Sequence, residues 1–125
     1  MRMVWLLVAE DNGDLRETLA EAIREHGYIA HTAAGGAAAV RMLDLADSLP
    51  ALVLLDLLMP DVSGRDVLTA MRSLTKTRDL PVVVLTGTDA EGWGLSEFRV
   101  TEILLKPVSV DHVIQVVRRV LGEVK

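Results

Sequence analysis

The sequence contains no cysteine, which excludes disulfide bonds, thiolate metal sites and a cysteine nucleophile. Aromatic residues make up only 3% of the chain, so a core must be built mainly from Val, Leu, Ile and Ala. The longest apolar run near the N-terminus, residues 3–9, is too short for a membrane span or a signal peptide. The chain is acidic and has no stripe of Lys and Arg, which argues against direct binding of nucleic acid. We therefore expect a soluble cytoplasmic protein.

Five short apolar runs of strand length alternate with longer amphipathic stretches. Most of the short runs are nearly continuous in apolar residues, as strands are when a parallel sheet buries them on both faces. This alternation predicts an α/β fold with right-handed crossovers, in which a doubly wound parallel sheet of strand order 2-1-3-4-5 carries helices on both faces. One domain over residues 1–125 is expected. The predicted strands span residues 3–9, 28–33, 51–55, 81–85 and 102–105.

Stretches with helical spacing of apolar residues connect the predicted strands. The segment after the fourth strand gives the weakest helical signal, because Gly92 and Gly94 both disfavour a helix. Asp11 or Asn12 is expected to cap the first helix. The predicted helices span about residues 13–26 and 36–48, with Val40, Leu43 and Leu45 as apolar positions of the second, then a third marked by Val67, Leu68, Met71 and Leu74, and a last from Val110 that ends before Gly122.

Polar side chains follow four of the five predicted strands. Glu10 and Asp11 follow the first strand, Asp56 the third, Thr86 the fourth and Lys106 the fifth. Ligands of doubly wound sheets bind outside the carboxyl ends of the strands. The second strand, which has no ionisable group at its exit, is an edge strand in the predicted order. We therefore expect these carboxylates, the hydroxyl and the ammonium to converge on one pocket.

This set of side chains suits phosphoryl chemistry. Carboxylates that lie close together repel one another unless a cation neutralises them, and hard oxygen ligands suit Mg²⁺. A lysine and a hydroxyl can hold the remaining oxygens of a phosphoryl group, and Asp56 is the candidate nucleophile because carboxylates form aspartyl phosphates. Taken alone, Asp56 would equally well be a turn residue, and Asp61 and Ser63 are interpreted as turn and cap residues. The other strand exits favour the functional interpretation.

Four segments in this order and spacing resemble the receiver domain of two-component response regulators: AEDN at 9–12, LLDLLMPDVSGRDVL at 54–68, VVVLTG at 82–87 and LLKPV at 104–108. The resemblance covers essentially the whole chain and includes no output domain. It implies a flavodoxin-like fold similar to that of the chemotaxis regulator. Both a stand-alone regulator and part of a longer regulator or hybrid kinase remain open, and the downstream target is unknown.

The resemblance implies that Asp56 accepts a phosphoryl group from a sensor histidine kinase or a histidine phosphotransfer protein. Such a domain catalyses its own phosphorylation and slow dephosphorylation and is a switch, not a turnover enzyme. It is a monomer or a phosphorylation-dependent dimer. The implied site residues are Glu10, Asp11, Asp56 and the backbone carbonyl of Leu58 as ligands of Mg²⁺, Thr86 and Lys106 as partners of the phosphoryl oxygens, and Pro107 after a cis peptide that aims the lysine.

Two departures from the family pattern concern how the switch is read out. Ile103 stands three residues before the lysine, where receiver domains commonly carry Tyr or Phe that turns inward when the threonine moves. The interval between the threonine and the lysine is also shorter than is typical and lacks the usual GA before the fifth strand, so the helix between the fourth and fifth strands is expected to be short, displaced or mobile. Trp93 and Phe98 in this region are either core residues or anchors for a partner.

Three other classes of function fit the sequence less well. A haloacid-dehalogenase-type phosphatase needs a second Asp two residues after the nucleophile, where this chain has Leu58. A flavodoxin-like FMN carrier would not have the acidic loop EDNGD at 10–14 after its first strand. The remaining alternative is a pseudo-receiver, a protein-interaction module that does not use phosphorylation. It is supported by Ile103 and by the altered region between the fourth and fifth strands.

Overall fold

The computed structural model describes residues 4–87 and 94–122. One five-stranded parallel sheet has the strand order β2-β1-β3-β4-β5, which confirms the predicted topology. Each strand lies within a predicted run or extends it by one residue. The strands are β1 (Trp5–Ala9), β2 (Ile29–Ala33), β3 (Leu52–Asp56), β4 (Val82–Thr86) and β5 (Glu102–Leu105).

Helices cover both faces of the sheet. The first and last helices pack on one face, and the second and third on the other, together with a short 3-10 helix. Every residue of β3 and of β4 is buried, which is why these strands read as continuous apolar runs. No helix in the described part of the chain could cross a membrane. The helices are α1 (Gly13–Glu25), α2 (Gly36–Leu45), α3 (Gly64–Ser73) and α4 (Val110–Val120), and the 3-10 helix is Leu95–Phe98.

Two of the predicted capping residues begin helices. The Asn12 side chain accepts a hydrogen bond from the backbone N–H of Leu15, and the Ser63 side chain accepts one from Asp66, so each satisfies an amide that the helix itself leaves free. These contacts confirm Asn12 as the cap of α1 and Ser63 as the cap of α3. They fix where both helices start, and both helices start directly beside the carboxyl edge of the sheet.

The second helix ends earlier than the spacing predicts. It stops at Leu45 instead of about residue 48, and the Leu45 side chain is 72% exposed. Ala39 and Leu43 are four residues apart and share the buried face, whereas Leu45, two residues beyond Leu43, points roughly 200° away around the helix. Leu74 was likewise predicted within the third helix, but it follows α3 as its C-terminal cap and is 47% exposed.

The described residues between β4 and β5 include a short 3-10 helix, and residues 88–93, which belong to the helix expected to be altered, lie outside the described residues. The 3-10 helix is a single short turn bracketed by two left-handed residues, Gly94 and Arg99. Phe98 is 9% exposed and packs in the core, so of the two alternatives it is a core residue and not an anchor for a partner. Arg72 Nε donates to the Phe98 carbonyl at 2.7 Å, which ties this turn to α3. Trp93 lies outside the described residues.

Candidate functional site at the carboxyl edge of the sheet

The strand register brings the predicted site residues to one edge of the sheet. Asp56, at the end of β3, is level with Leu85 in β4, and Thr86, at the end of β4, is level with Leu105 in β5. Lys106 directly follows β5, and its backbone N–H donates to the Thr86 carbonyl at 2.7 Å. The parallel register therefore places the polar strand exits side by side, as the sequence predicts.

An acidic cluster lies at the centre of this edge. Carboxylate oxygens of Glu10, Asp11 and Asp56 all lie within 4.8 Å of one another. Glu10 is fully buried and Asp56 is 2% exposed, whereas Asp11 is exposed to solvent. The cluster thus has a buried floor and an open side, which is the arrangement that a small ion or a phosphoryl group needs in order to enter.

Lys106 supplies the positive charge closest to the buried carboxylates. Its Nζ lies 2.9 Å from Glu10 Oε1 and 3.2 Å from Asp56 Oδ2. Partial burial acts to lower the pKa of Lys106, but its contact with Glu10 and the charge of Asp56 outweigh burial and raise this pKa above its ordinary value. The lysine is therefore a permanent cation in the site at neutral pH.

Asp56 is the carboxyl group most perturbed by this environment. Burial, the negative charge of Glu10 and a hydrogen bond shared with Asp11 raise the pKa of Asp56 to about 7. The backbone N–H of Leu58, which donates to Asp56 Oδ1 at 3.1 Å, acts in the opposite direction. Partial burial would raise the pKa of Asp11 too, but its hydrogen bonds with Asp56 and Glu10 lower it. Without a further cation, Asp56 is therefore only partly ionised at neutral pH.

A glycine allows α3 to begin against the backbone of Asp56. A Cβ atom on Gly64 would lie 2.4 Å from the Asp56 carbonyl oxygen and 2.6 Å from the Leu57 Cα, both closer than van der Waals contact. The Gly64 N–H also donates to the Leu57 carbonyl at 2.9 Å. The first turn of α3 and the end of β3 are consequently locked together, which holds the Asp56 main chain in place.

The remaining predicted site residues have the following positions. Thr86 is fully buried at the end of β4, beside Asp56 in the sheet. Leu58 is 51% exposed in the loop after β3, where its backbone borders the Asp56 carboxylate. Pro107 follows a cis peptide bond, which confirms that prediction. Ile103 is 38% exposed on β5, an edge strand, and its role as the switch position stays a prediction.

Two contacts near the site were missed by the sequence reasoning. Asp61, interpreted only as a turn residue, accepts hydrogen bonds from the backbone N–H groups of Gly36 at 3.1 Å and Ala37 at 3.2 Å. Its carboxylate thereby caps α2 from a distant loop, because Gly35 offers no side chain for that purpose. Arg16 donates to the carbonyls of the loop after β1. The glycine pair at the start of α2 indicates that this helix lacks a side-chain cap of its own, but not which residue supplies one. No sequence signal indicates the second contact.

The comparison with protein families covers most of the chain. The family model of the response regulator receiver domain matches residues 6–118. The sensory transduction protein RegX3 of Mycobacterium tuberculosis is 34% identical over 122 residues, which cover 95% of this chain and 51% of RegX3. The chain therefore spans about half the length of the curated relatives it matches.

Solved structures agree with this result. A response regulator receiver protein from Pseudomonas putida has a TM-score of 0.86 and 28% identity, and the match covers 95% of this chain and 98% of that one. The response regulator TrrA from Thermotoga maritima, solved in complex with Mg²⁺ and BeF, has a TM-score of 0.80 and 30% identity over 94% of this chain and 99% of its own. By sequence, fold and the order of its strand-exit residues, this chain belongs to the family of response regulator receiver domains.

Proposed function

We propose that this domain is a phosphorylation switch whose phosphoryl acceptor is Asp56. The observation that carries the proposal is the assembly of three carboxylates within 4.8 Å, with the Lys106 ammonium 3.2 Å from Asp56. A carboxylate nucleophile needs positive charge around the phosphoryl oxygens, and an arrangement already in place provides it without reorganisation. The donor is a phosphohistidine on a sensor histidine kinase or on a histidine phosphotransfer protein.

The residues of the site fit Mg²⁺. Glu10, Asp11 and Asp56 offer hard oxygen ligands, and the backbone carbonyl of Leu58 would complete the set. Lys106 approaches Glu10 Oε1 as an ion pair without hydrogen-bond geometry, so that buried oxygen accepts no hydrogen bond from the described residues. The raised pKa of Asp56 points the same way, because a cation would relieve the repulsion that raises it. When bound, Mg²⁺ supplies charge neutralisation for the acidic cluster and for the incoming phosphoryl group.

The transfer step needs little covalent chemistry from the protein. An oxygen of the Asp56 carboxylate forms a bond to phosphorus while the phosphorus–nitrogen bond of the donor breaks. The bonding electron pair stays on the histidine ring nitrogen, which takes a proton from solvent. Lys106 and the Thr86 hydroxyl bind oxygens of the transferred group, so the contribution of the protein is positioning and electrostatic stabilisation.

Loss of the phosphoryl group reverses the switch. A water oxygen attacks phosphorus, the bond between phosphorus and the Asp56 oxygen breaks, and the products are inorganic phosphate and the free carboxylate. Leu58 stands where a phosphatase of the haloacid dehalogenase type has its general acid, and a leucine neither donates nor accepts a proton. Dephosphorylation is therefore slow, and the domain catalyses its own modification without being a turnover enzyme.

The biological setting is proposed on the same basis. The domain acts in the cytoplasm, and its phosphorylation changes its affinity for a protein target or for a second copy of itself. The candidate positions through which the change reaches the surface are Ile103, on the edge strand β5, and Pro107, two residues after its end. The pseudo-receiver alternative is not favoured, because the side chains for phosphoryl chemistry lie together in one site.

Intact-mass spectrometry tests this function. The wild type is incubated with Mg²⁺ and acetyl phosphate and should gain one phosphoryl group, which EDTA abolishes. The Asp56→Asn variant should gain none, whereas Asp66→Asn, which removes an exposed carboxyl group on α3, should be modified like the wild type. A wild type that gains no phosphoryl group and binds no beryllofluoride would overturn the proposal and restore the pseudo-receiver alternative.

A further inference from the structure

The guanidinium group of Arg16 lies behind the loop that carries two of the acidic residues. Its Nη1 donates to the backbone carbonyl of Glu10 at 3.0 Å and to that of Asp11 at 3.4 Å. The Arg16 side chain is only 20% exposed, and a Cβ atom on Gly13 would lie 3.5 Å from Nη2. The side chain therefore folds back over the start of α1 and directs Nη1 at the main chain of the loop, while its Nε lies 3.5 Å from the Glu17 carboxylate.

These two contacts act on the directions in which the acidic side chains point. A carbonyl that accepts a hydrogen bond fixes its peptide plane, and consecutive peptide planes fix the Cα–Cβ direction of the residue between them. The peptide planes before and after Asp11 are both fixed in this way. The backbone N–H of Asn12 donates to Glu10 Oε2 at 3.0 Å, so the orientation of this loop also sets the Glu10 carboxylate.

We propose that Arg16 is a positioning residue of the acidic site, which sets its affinity for Mg²⁺ by holding the carbonyls of Glu10 and Asp11. The inference rests on the proposed function in one respect, namely that the acidic cluster binds this ion. Hydrogen-bond partners that orient metal ligands typically change metal affinity by roughly 10–100-fold when they are removed. Arg16 orients two of the proposed ligands through their backbone carbonyls and is not itself a ligand of the ion.

Positioning and simple electrostatics predict opposite results for this arginine. A guanidinium close to a dication site repels the ion, so the loss of its charge alone would strengthen Mg²⁺ binding. The loss of the two backbone contacts would weaken it, because the carboxylates would no longer be preorganised. The sign of the change in the dissociation constant therefore separates the two roles.

The test is isothermal titration of the metal-free domain with Mg²⁺. Arg16→Met should weaken binding about tenfold, and Arg16→Lys should weaken it similarly, because an ammonium keeps the charge but lacks the fork that spans two carbonyls. The matched control is Arg24→Met. Arg24 lies on the same helix and donates to the Ala30 carbonyl at 2.8 Å, roughly 12 Å further along the helix axis. This control should bind Mg²⁺ as tightly as the wild type or slightly more tightly.

A second readout needs no metal. Amide hydrogen exchange in the metal-free domain should show faster exchange at Asn12 in Arg16→Met, because its hydrogen bond to Glu10 depends on the held loop. Equal or tighter Mg²⁺ binding by Arg16→Met, or unchanged exchange at Asn12, would overturn the inference while leaving the proposed function intact. A wild type without saturable Mg²⁺ binding would overturn the proposed function, and the part of this inference that concerns the ion would fail with it.

Discussion

Replacement of Asp56 by Asn should stabilise the domain when no divalent cation is present. The Asp56 carboxyl group is 2% exposed and faces Glu10 and Asp11, and this environment raises its pKa from 3.8 to about 7. An asparagine keeps the shape of the side chain, and its oxygen can still accept the hydrogen bond from Leu58, but it carries no charge. The variant therefore removes the repulsion while it preserves the packing.

The size of the effect follows from the pKa of Asp56. A carboxyl group with a raised pKa in the folded state holds its proton more tightly there than in the unfolded chain, so its contribution to stability is fully present below pH 3.8 and is lost as the pH rises through about 7. Each pKa unit corresponds to about 1.4 kcal/mol, which sets a ceiling of about 4 kcal/mol near pH 8. Local relaxation lowers the expected gain in Asp56→Asn to roughly 1–3 kcal/mol, since the protein responds to charge as a medium of high effective dielectric constant.

Urea unfolding at pH 5 and pH 8 in EDTA measures this gain. The advantage of Asp56→Asn over the wild type should be larger at pH 8, and Asp44→Asn, which changes an exposed carboxyl group on α2, should stay within about 0.5 kcal/mol of the wild type. Mg²⁺ at a hundredfold excess over its dissociation constant should add about 2.7 kcal/mol to the wild type and less to the variant. No gain at pH 8, or an equal gain at pH 5, would refute the electrostatic explanation.

Other parts of the site lead to further predictions. Gly64→Ala should lower the free energy of unfolding by roughly 1–3 kcal/mol in urea titrations and reduce phosphorylation by acetyl phosphate, because its Cβ would collide with the Asp56 carbonyl. Asp61→Asn should speed hydrogen exchange at the first two amides of α2. Hydrogen bonds from Val62 and α2 lower the pKa of Asp61, so the slower exchange of the wild type at these amides should be lost only when the pH falls below 3.8. Binding of beryllofluoride should change the rate of amide hydrogen exchange more at Ile103 in β5 than at the amides of β3.

The sheet and the site edge could be predicted from the sequence because each leaves a short-range signal. A strand that is buried on both faces must be apolar throughout, so β3 and β4 can be located from composition alone. A polar residue directly after such a run must lie at the carboxyl edge, where parallel strands bring their ends together. This is why Asp56, Thr86 and Lys106 could be assigned to one site from the sequence alone.

Side-chain contacts between distant segments could not be predicted in the same way. Asp61 caps a helix that begins 25 residues earlier, and nothing in the local turn pattern shows that its carboxylate faces Gly36. Arg16 resembles any basic residue on the surface of a helix until the fold shows that its guanidinium reaches the carbonyls of the preceding loop. The exposure of Leu45 is a related case, because one apolar residue more or less does not decide where a short helix ends.

The site residues are attached to parts of the sheet that differ in packing, and this difference bears on how the switch works. Asp56 and Thr86 end strands in which every residue is buried, whereas Lys106 follows β5, where only Leu104 is buried. A segment with fewer buried contacts opens locally more easily. A change of charge at Asp56 should therefore displace β5, which leads to Lys106, more easily than β3 or β4. In the proposed function the Lys106 ammonium binds the phosphoryl group, and the same residue connects the site to that edge of the sheet. We therefore expect the signal to leave through β5 even though Ile103 offers no aromatic ring.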